Sequence, residues 1–168
     1  GKHFDYKNPQ EDQVDILDIA HSLSQLCRFS GQSPVFYSVA QHCVYVSQLA
    51  ELQHPGSTEL ALAALLHDSC EAYVADVPSP LKALLPDYRA IEDNIVNLIF
   101  VKYGICLTYS AIEDYDLQAL SGEFYYIIGS IPDAMKFSVP AMLPGPPMSP
   151  KEAEAAFLGR FVQLRGIK

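Results

Sequence analysis

The segment Leu65-Leu66-His67-Asp68-Ser69-Cys70-Glu71 sets a His-Asp pair and a following Glu inside a run that otherwise reads as a buried helix. Burying three ionisable side chains among apolar neighbours costs several kcal/mol unless something compensates, and a metal ion is the commonest thing that does. The chain has to fold so that partners for these groups meet them in its interior. The segment is therefore a site candidate.

The rest of the chain supplies helices to surround it. Apolar spacing is helical nearly everywhere and strict period-two alternation is missing, which predicts an all-α bundle of about six helices. Asp15 to Arg28 places Ile16, Ile19, Leu23 and Leu26 at spacings of three and four, with a stop before Gly31. Ser33 and Pro34 read as N-cap and first residue of a second helix running to about Leu52. Ser57 or Thr58 caps a third, which carries His67 and Asp68. A fourth spans Tyr88 to Tyr103 and ends at Gly104. Ser110 with Glu113 reads as a capping box for a fifth reaching about Ile128, and Ser149-Pro150-Lys151-Glu152 as another for the last, ending near Gly166. Residues 1–168 then form one domain. Within it, prolines 132, 140, 144, 146 and 147 exclude regular helix from an excursion over 129–148, which is expected to cross the surface or meet another subunit.

Composition removes several function classes. With 11 Lys and Arg against 20 Asp and Glu, a net charge of −9 argues against a surface that grips a nucleic-acid backbone. Cys27, Cys43, Cys70 and Cys106 form no C-x-x-C pair, so neither a zinc ribbon nor a secreted disulfide framework is indicated, and a reducing cytoplasm is the expected compartment. No stretch approaches the roughly 20 apolar residues of a membrane span, and nothing reads as a signal peptide. No H-E-x-x-H, G-x-x-x-x-G-K or G-x-G-x-x-G is present, which drops the zincin, P-loop and dinucleotide-binding readings. A small-molecule substrate remains, and apolar stripes on several helices leave room for a homo-oligomer.

Helical periodicity brings further polar groups inward. His42 falls in the gap of a stripe made by Val35, Val39, Val46 and Leu49; taken alone, such a His is more often a core residue bonded to a carbonyl than a ligand. Ile112, Asp116, Ala119, Glu123 and Ile127 step by four, three, four and four along one face, so Asp116 points inward and Asp114 toward solvent. Glu123 reads as a satisfied core carboxylate ahead of a group supporting a ligand. Two imidazoles and two carboxylates, His42, His67, Asp68 and Asp116, suit Mn²⁺, Co²⁺, Fe²⁺ or Zn²⁺ with positions left for water and substrate.

Arg28-Phe29-Ser30-Gly31, then Tyr37-Ser38-Val39-Ala40-Gln41-His42, then Leu65-Leu66-His67-Asp68 through Glu71-Ala72-Tyr73 to Asp76-Val77-Pro78-Ser79-Pro80-Leu81-Lys82, together resemble the HD-domain metal-dependent phosphohydrolases, in their small nucleotidase branch. The resemblance covers about Ile19 to Ile128. It implies an HD helical bundle with His42, His67, Asp68 and Asp116 as ligands of a divalent metal (Co²⁺, Mn²⁺ or Zn²⁺, with Mg²⁺ also in range). It implies Glu71 as the catalytic acid residue that orients or deprotonates water. Asp76 would protonate the leaving oxygen, with a helix-end cap as the alternative. Arg28 and Lys82 match phosphate-binding positions, and Phe29 and Pro80 would lie near sugar or base. Family members include 5′-deoxynucleotidases and compact triphosphohydrolases, among them viral enzymes that remove dATP. Phe29 stands where many nucleotidases carry Trp, and Gln118 where an Arg is common. These departures and the short chain turn the expectation toward deoxynucleoside triphosphates, dATP first. A 5′-deoxynucleotidase is the alternative, and an idle nucleotide-binding sensor belongs to a different class.

Overall fold

A helix that is apolar on nearly every side can only be stable at the centre of a bundle. The second helix is of that kind: from Val39 to Ser47 every residue is buried, and Leu49 and Ala50 with them. The computed structural model describes residues 2–129, 140 and 142–166. Among these the helices are α1 (Ile16–Gln25), α2 (Val39–Gln53), α3 (Thr58–Leu66), α4 (Glu71–Val74), α5 (Ser79–Lys82), α6 (Pro86–Lys102), α7 (Glu113–Glu123) and α8 (Pro150–Arg165). The fold is all-α. Helices α4 and α5 are single turns and the other six are the expected bundle. The β pairing described is one isolated antiparallel bridge, Cys27 to Ser38.

Helix α2 packs against α1, α3, α7 and α8, while α1 also meets α4 and α8, and α6 lies against α3. Ile19 and Leu23 from α1, Leu49 from α2, Leu65 and Leu66 from α3, Ile95 and Ile99 from α6 and Phe157 from α8 are fully buried. Each such side chain contributes about 1.5–3 kcal/mol of transfer free energy. Arg160 of α8 ties the last helix to the centre, its Nε donating to Ser47 Oγ at 3.0 Å and its NH2 to the Ser47 carbonyl at 3.2 Å.

Four helix ends differ from the sequence reading, each because the backbone finds another partner. Helix α1 stops at Gln25, short of Arg28, and α2 starts at Val39 with Ser38 as N-cap, so Ser33 and Pro34 do not open it and Val35 is exposed. Between them the chain loops out through a 3-10 turn, Phe29–Gly31, and its two ends pair: Arg28 N donates to the Tyr37 carbonyl at 2.8 Å and Val39 N to the Leu26 carbonyl at 3.0 Å. Helix α3 ends at Leu66, just before His67. Side chains take its last carbonyls, His67 Nδ1 that of Ala64 at 2.8 Å and Ser69 Oγ that of Leu66 at 2.5 Å. Ser110 forms no capping box with Glu113. It lies in a 3-10 turn, Tyr109–Ala111, with its hydroxyl 2.9 Å from Thr108 Oγ1. Helix α7 then runs on as a π-helical turn, Phe124–Ile128, to Gly129 at φ 83°.

The other ends agree. Gly104 follows α6 at φ 69°, and Ser149 and Glu152 form the reciprocal capping box of α8, which Gly166 closes. The described part of the proline-rich excursion is bound to the core instead of merely crossing the surface. Buried Gln41 donates to the Pro146 carbonyl at 2.8 Å and accepts from Met148 N at 2.9 Å, and the Tyr45 hydroxyl donates to the Met142 carbonyl at 2.5 Å. Pro132 and the rest of 130–139 lie outside the described residues. No described helix is long and apolar enough to cross a membrane.

Candidate metal centre

Three pieces of chain deliver the cluster. The middle of α2 carries His42, the turn after α3 carries His67 and Asp68, and the first turn of α7 carries Asp116. The break at Leu66 matters here, because it lets His67 and Asp68 present their side chains to one point, which adjacent residues of a continuous helix do not do. His42 Nε2 lies 3.3 Å from His67 Nε2, 3.1 Å from Asp116 Oδ1 and 3.6 Å from Asp68 Oδ2. His67 Nε2 lies 3.3 Å from Asp68 Oδ2 and 3.8 Å from Asp116 Oδ1. All four residues expected as ligands are brought together, and Asp114 is exposed as expected.

The outer ring nitrogens are already engaged. His42 Nδ1 is 2.7 Å from Glu123 Oε1, and His67 Nδ1 is 2.8 Å from the Ala64 carbonyl. A carbonyl only accepts, so His67 carries its proton on Nδ1, and the Glu123 carboxylate fixes His42 the same way. Both Nε2 lone pairs then face one another and two carboxylate oxygens, an arrangement that repels itself unless a positive charge sits among them. A cation with ligand bonds of about 2.1 Å holds neighbouring donor atoms about 3.0–3.4 Å apart, which the separations here approach. The donor set fits a divalent metal, and the carboxylate or carbonyl behind each imidazole is the usual support of a metal-binding His.

The electrostatics say the same. Burial and the Arg28 guanidinium both act to lower the His42 pKa, yet the Glu123 and Asp116 carboxylates outweigh them and push it up to about 10. Burial would raise Asp68, but the His67 and His42 imidazoles hold it well below the usual carboxylate range, and His42, His67 and Arg28 do so for Asp116. Positive charge is favoured at this spot.

Around the cluster lie the other predicted groups. Arg28 reaches it from the bridge before α2: NH2 is 3.1 Å from Glu123 Oε2, NH1 is 3.7 Å from Asp68 Oδ2, and the buried Nε has no hydrogen-bond partner. Its guanidinium sits 5.3 Å from the Phe29 ring, which packs on Phe124. Glu71 is 3% exposed, with Oε1 3.3 Å from Lys82 Nζ and Oε2 unpartnered. Burial first, then the Asp68 and Asp76 charges, push its pKa well up; burial also raises Asp76. Lys82 is shared with Glu92, 2.5 Å from its Oε1. Pro80 is exposed on α5, two residues before Lys82, and it is Lys82 of that turn that reaches Glu71. Backbone strain flanks the site, since Phe29 and Ser30 after Arg28 and Ala75 before Asp76 all have positive φ.

Sequence reasoning ranked one contributor wrongly and missed three. Glu123 is no ordinary core carboxylate but the group behind His42, and its place on the Asp116 face was the available signal. Tyr109 donates to Asp116 Oδ2 at 2.7 Å and stacks on the His67 ring. Cys43, next to His42, forms a second grouping with His67 and Asp68. Glu92 holds Lys82. Nothing in the local spacing marks the last three. Gln118, which stands where the resemblance implies an Arg, accepts from Gln53 Nε2 at 2.7 Å at the far end of α2.

Fold and cluster define an all-α protein with a buried His and Asp group able to hold a metal ion. No family model matches the chain. It is 40% identical over 179 residues to the uncharacterized protein YfdR of Escherichia coli strain K12, a match that spans all of this chain and 94% of that one. An uncharacterized protein of Rhodobacter capsulatus is 34% identical over 109 residues, 62% of this chain and 56% of that protein. The chain belongs to the family of YfdR.

Proposed function

We propose that this protein is a metal-dependent phosphohydrolase of the HD class, acting on deoxynucleotides, with deoxynucleoside triphosphates and dATP first among them. The observation that carries the reading is the convergence of His42, His67, Asp68 and Asp116 beside a buried Glu71 with one free carboxylate oxygen. Such a donor set leaves coordination positions open, which is the mark of catalytic rather than structural metal sites. When bound, a divalent cation supplies Lewis-acid polarisation of a phosphoryl oxygen and acidifies water, from a pKa of about 15.7 toward roughly 7.

The chain's own residues do the rest. Glu71 takes the proton of the attacking water at Oε2 as the new O–P bond forms, a task its raised pKa suits. Asp76 returns a proton to the leaving oxygen as the old P–O bond breaks. Arg28 donates from its free Nε to a phosphate oxygen, and Lys82 adds positive charge. Phe29, with Phe124 behind it, offers an apolar wall to sugar or base.

A second reading, release of phosphate from deoxynucleoside monophosphates, is favoured by one observation. Arg28 and Lys82 both have carboxylate partners already, so little positive charge is left over for a triphosphate among the described residues. The deciding experiment gives metal-free protein each deoxynucleoside mono- and triphosphate with Mn²⁺, Co²⁺, Zn²⁺ or Mg²⁺ and identifies products by chromatography. Deoxynucleoside plus inorganic triphosphate establishes the first reading, and deoxynucleoside from monophosphates alone the second. Nucleotide bound without turnover under every metal would overturn both and leave a sensor.

A further inference from the structure

Helix α6 contributes no predicted site residue, yet its first half backs the whole segment that carries Glu71, Asp76 and Lys82. Two residues one turn apart, Tyr88 and Glu92, do this from a shared face. The Tyr88 hydroxyl donates to the carbonyl of Ala75 at 2.8 Å, at the strained residue before Asp76. Glu92 Oε1 accepts from Lys82 Nζ at 2.5 Å, and Lys82 in turn reaches Glu71 Oε1 at 3.3 Å. The three side chains are 13%, 18% and 3% exposed, so this chain of charges is shielded from water and from screening ions.

The geometry has a chemical consequence. Lys82 carries one positive charge between two carboxylates, and its stronger contact is to Glu92. With Glu92 in place the ammonium is fixed at one oxygen of Glu71, which leaves the other oxygen, Oε2, as the carboxylate's unpaired acceptor. Without Glu92 the flexible lysine stem is free to settle fully on Glu71, occupying the acceptor, or to swing away and leave the carboxylate unoriented. Either change disables the same group.

We infer that Glu92 is a positioning residue for hydrolysis: it anchors Lys82 and through it holds Glu71 with Oε2 free for the proton of water. This rests on the phosphohydrolase reading above and adds to it a residue that touches neither metal ligand nor substrate. Glu92 acts only through Lys82, so its removal changes nothing once Lys82 is gone.

The test uses the full chain with Glu92→Gln, Lys82→Met, the double variant and Glu92→Asp. The first readout needs no activity: the ¹⁵N-resolved ammonium signal of Lys82, visible when a lysine is held in a shielded ion pair. It is present in the unaltered protein and Glu92→Asp, and in Glu92→Gln it is lost where the stem swings away or moved in frequency where the ammonium settles on Glu71, whereas a signal unchanged in Glu92→Gln overturns the proposal. The second is kcat and KM with Mn²⁺ on dAMP and dATP. Glu92→Gln lowers kcat about tenfold or more with KM within about twofold, Glu92→Asp regains part of the loss, and the double variant is no slower than Lys82→Met alone. Losses that multiply in the double variant, or a change in KM alone, overturn the proposal. A Lys82 signal that depends on Glu92 in a protein that turns over no deoxynucleotide overturns the phosphohydrolase reading and this role with it, while leaving the ion pair itself established.

Discussion

At the scale of single residues, the site is a set of charges each of which is tolerable only because of the next. Glu123 is fully buried, and Arg28 and His42 hold its carboxyl below the usual range against the burial that would raise it. Glu123→Gln keeps the volume but loses the charge behind His42, and is expected to weaken Mn²⁺ binding by about 10- to 100-fold in calorimetry, the usual effect of removing a ligand's support. Glu71 shows the opposite balance. Its folded-state pKa lies above the ordinary 4.5, so folding takes up a proton in the window between the two, and stability falls as pH rises through that window. Glu71→Gln has no charge to bury and is expected to raise the melting temperature at neutral pH while lowering kcat by about 10²-fold or more. On the proposed hydrolytic reading, the rate of the unaltered protein should fall as pH drops through the raised Glu71 pKa, because the proposed base is then protonated. A Gln variant that melts lower at neutral pH would show that the carboxylate is a structural group.

At the scale of elements, local signals were readable where a helix end is satisfied by its own neighbours. Ser149 and Glu152 are such a case, a capping box on a helix start that nothing else covers. Ser149→Ala is expected to cost about 1 kcal/mol in denaturant unfolding. The Ser149 hydroxyl and amide hold the Glu152 carboxyl below its ordinary 4.5, so its contribution is present above that value and is lost as pH falls through the lowered pKa. Ser33-Pro34 and Ser110 carry equally good capping signals and cap nothing. There the chain had partners from far away or from an alternative turn: the Leu26 and Tyr37 backbone in one case, Thr108 in the other. The shift has a geometric result, since it places Arg28 in the loop before α2, within reach of Asp68 and Glu123, instead of at the end of a helix.

At the scale of the whole molecule, the candidate metal centre joins α2, the turn after α3 and the start of α7, segments far apart in the chain. A cation held there binds the folded state alone, and at about 100 times its dissociation constant it should add about 2.7 kcal/mol. Melting temperature is expected to rise with added Mn²⁺ and to return to the metal-free value with a chelator. Asp116→Ala should abolish most of the rise, and a metal-independent melting temperature would remove the cation from the site.

The sequence by itself determined that the fold is helical and that polar side chains of α2 and α7 turn inward, because a 3.6-residue period assigns each position to a face without reference to any other segment. His42, Asp116 and Glu123 were legible for that reason, and His67 with Asp68 as a charged pair set inside an apolar run. What joins those faces was decided only in three dimensions. The break that frees His67 and Asp68, the carboxylate behind His42, the Tyr109 hydroxyl on Asp116 and the Glu92 anchor of Lys82 are contacts between segments, and a hydrogen bond across the bundle leaves no period in either strand of sequence that makes it.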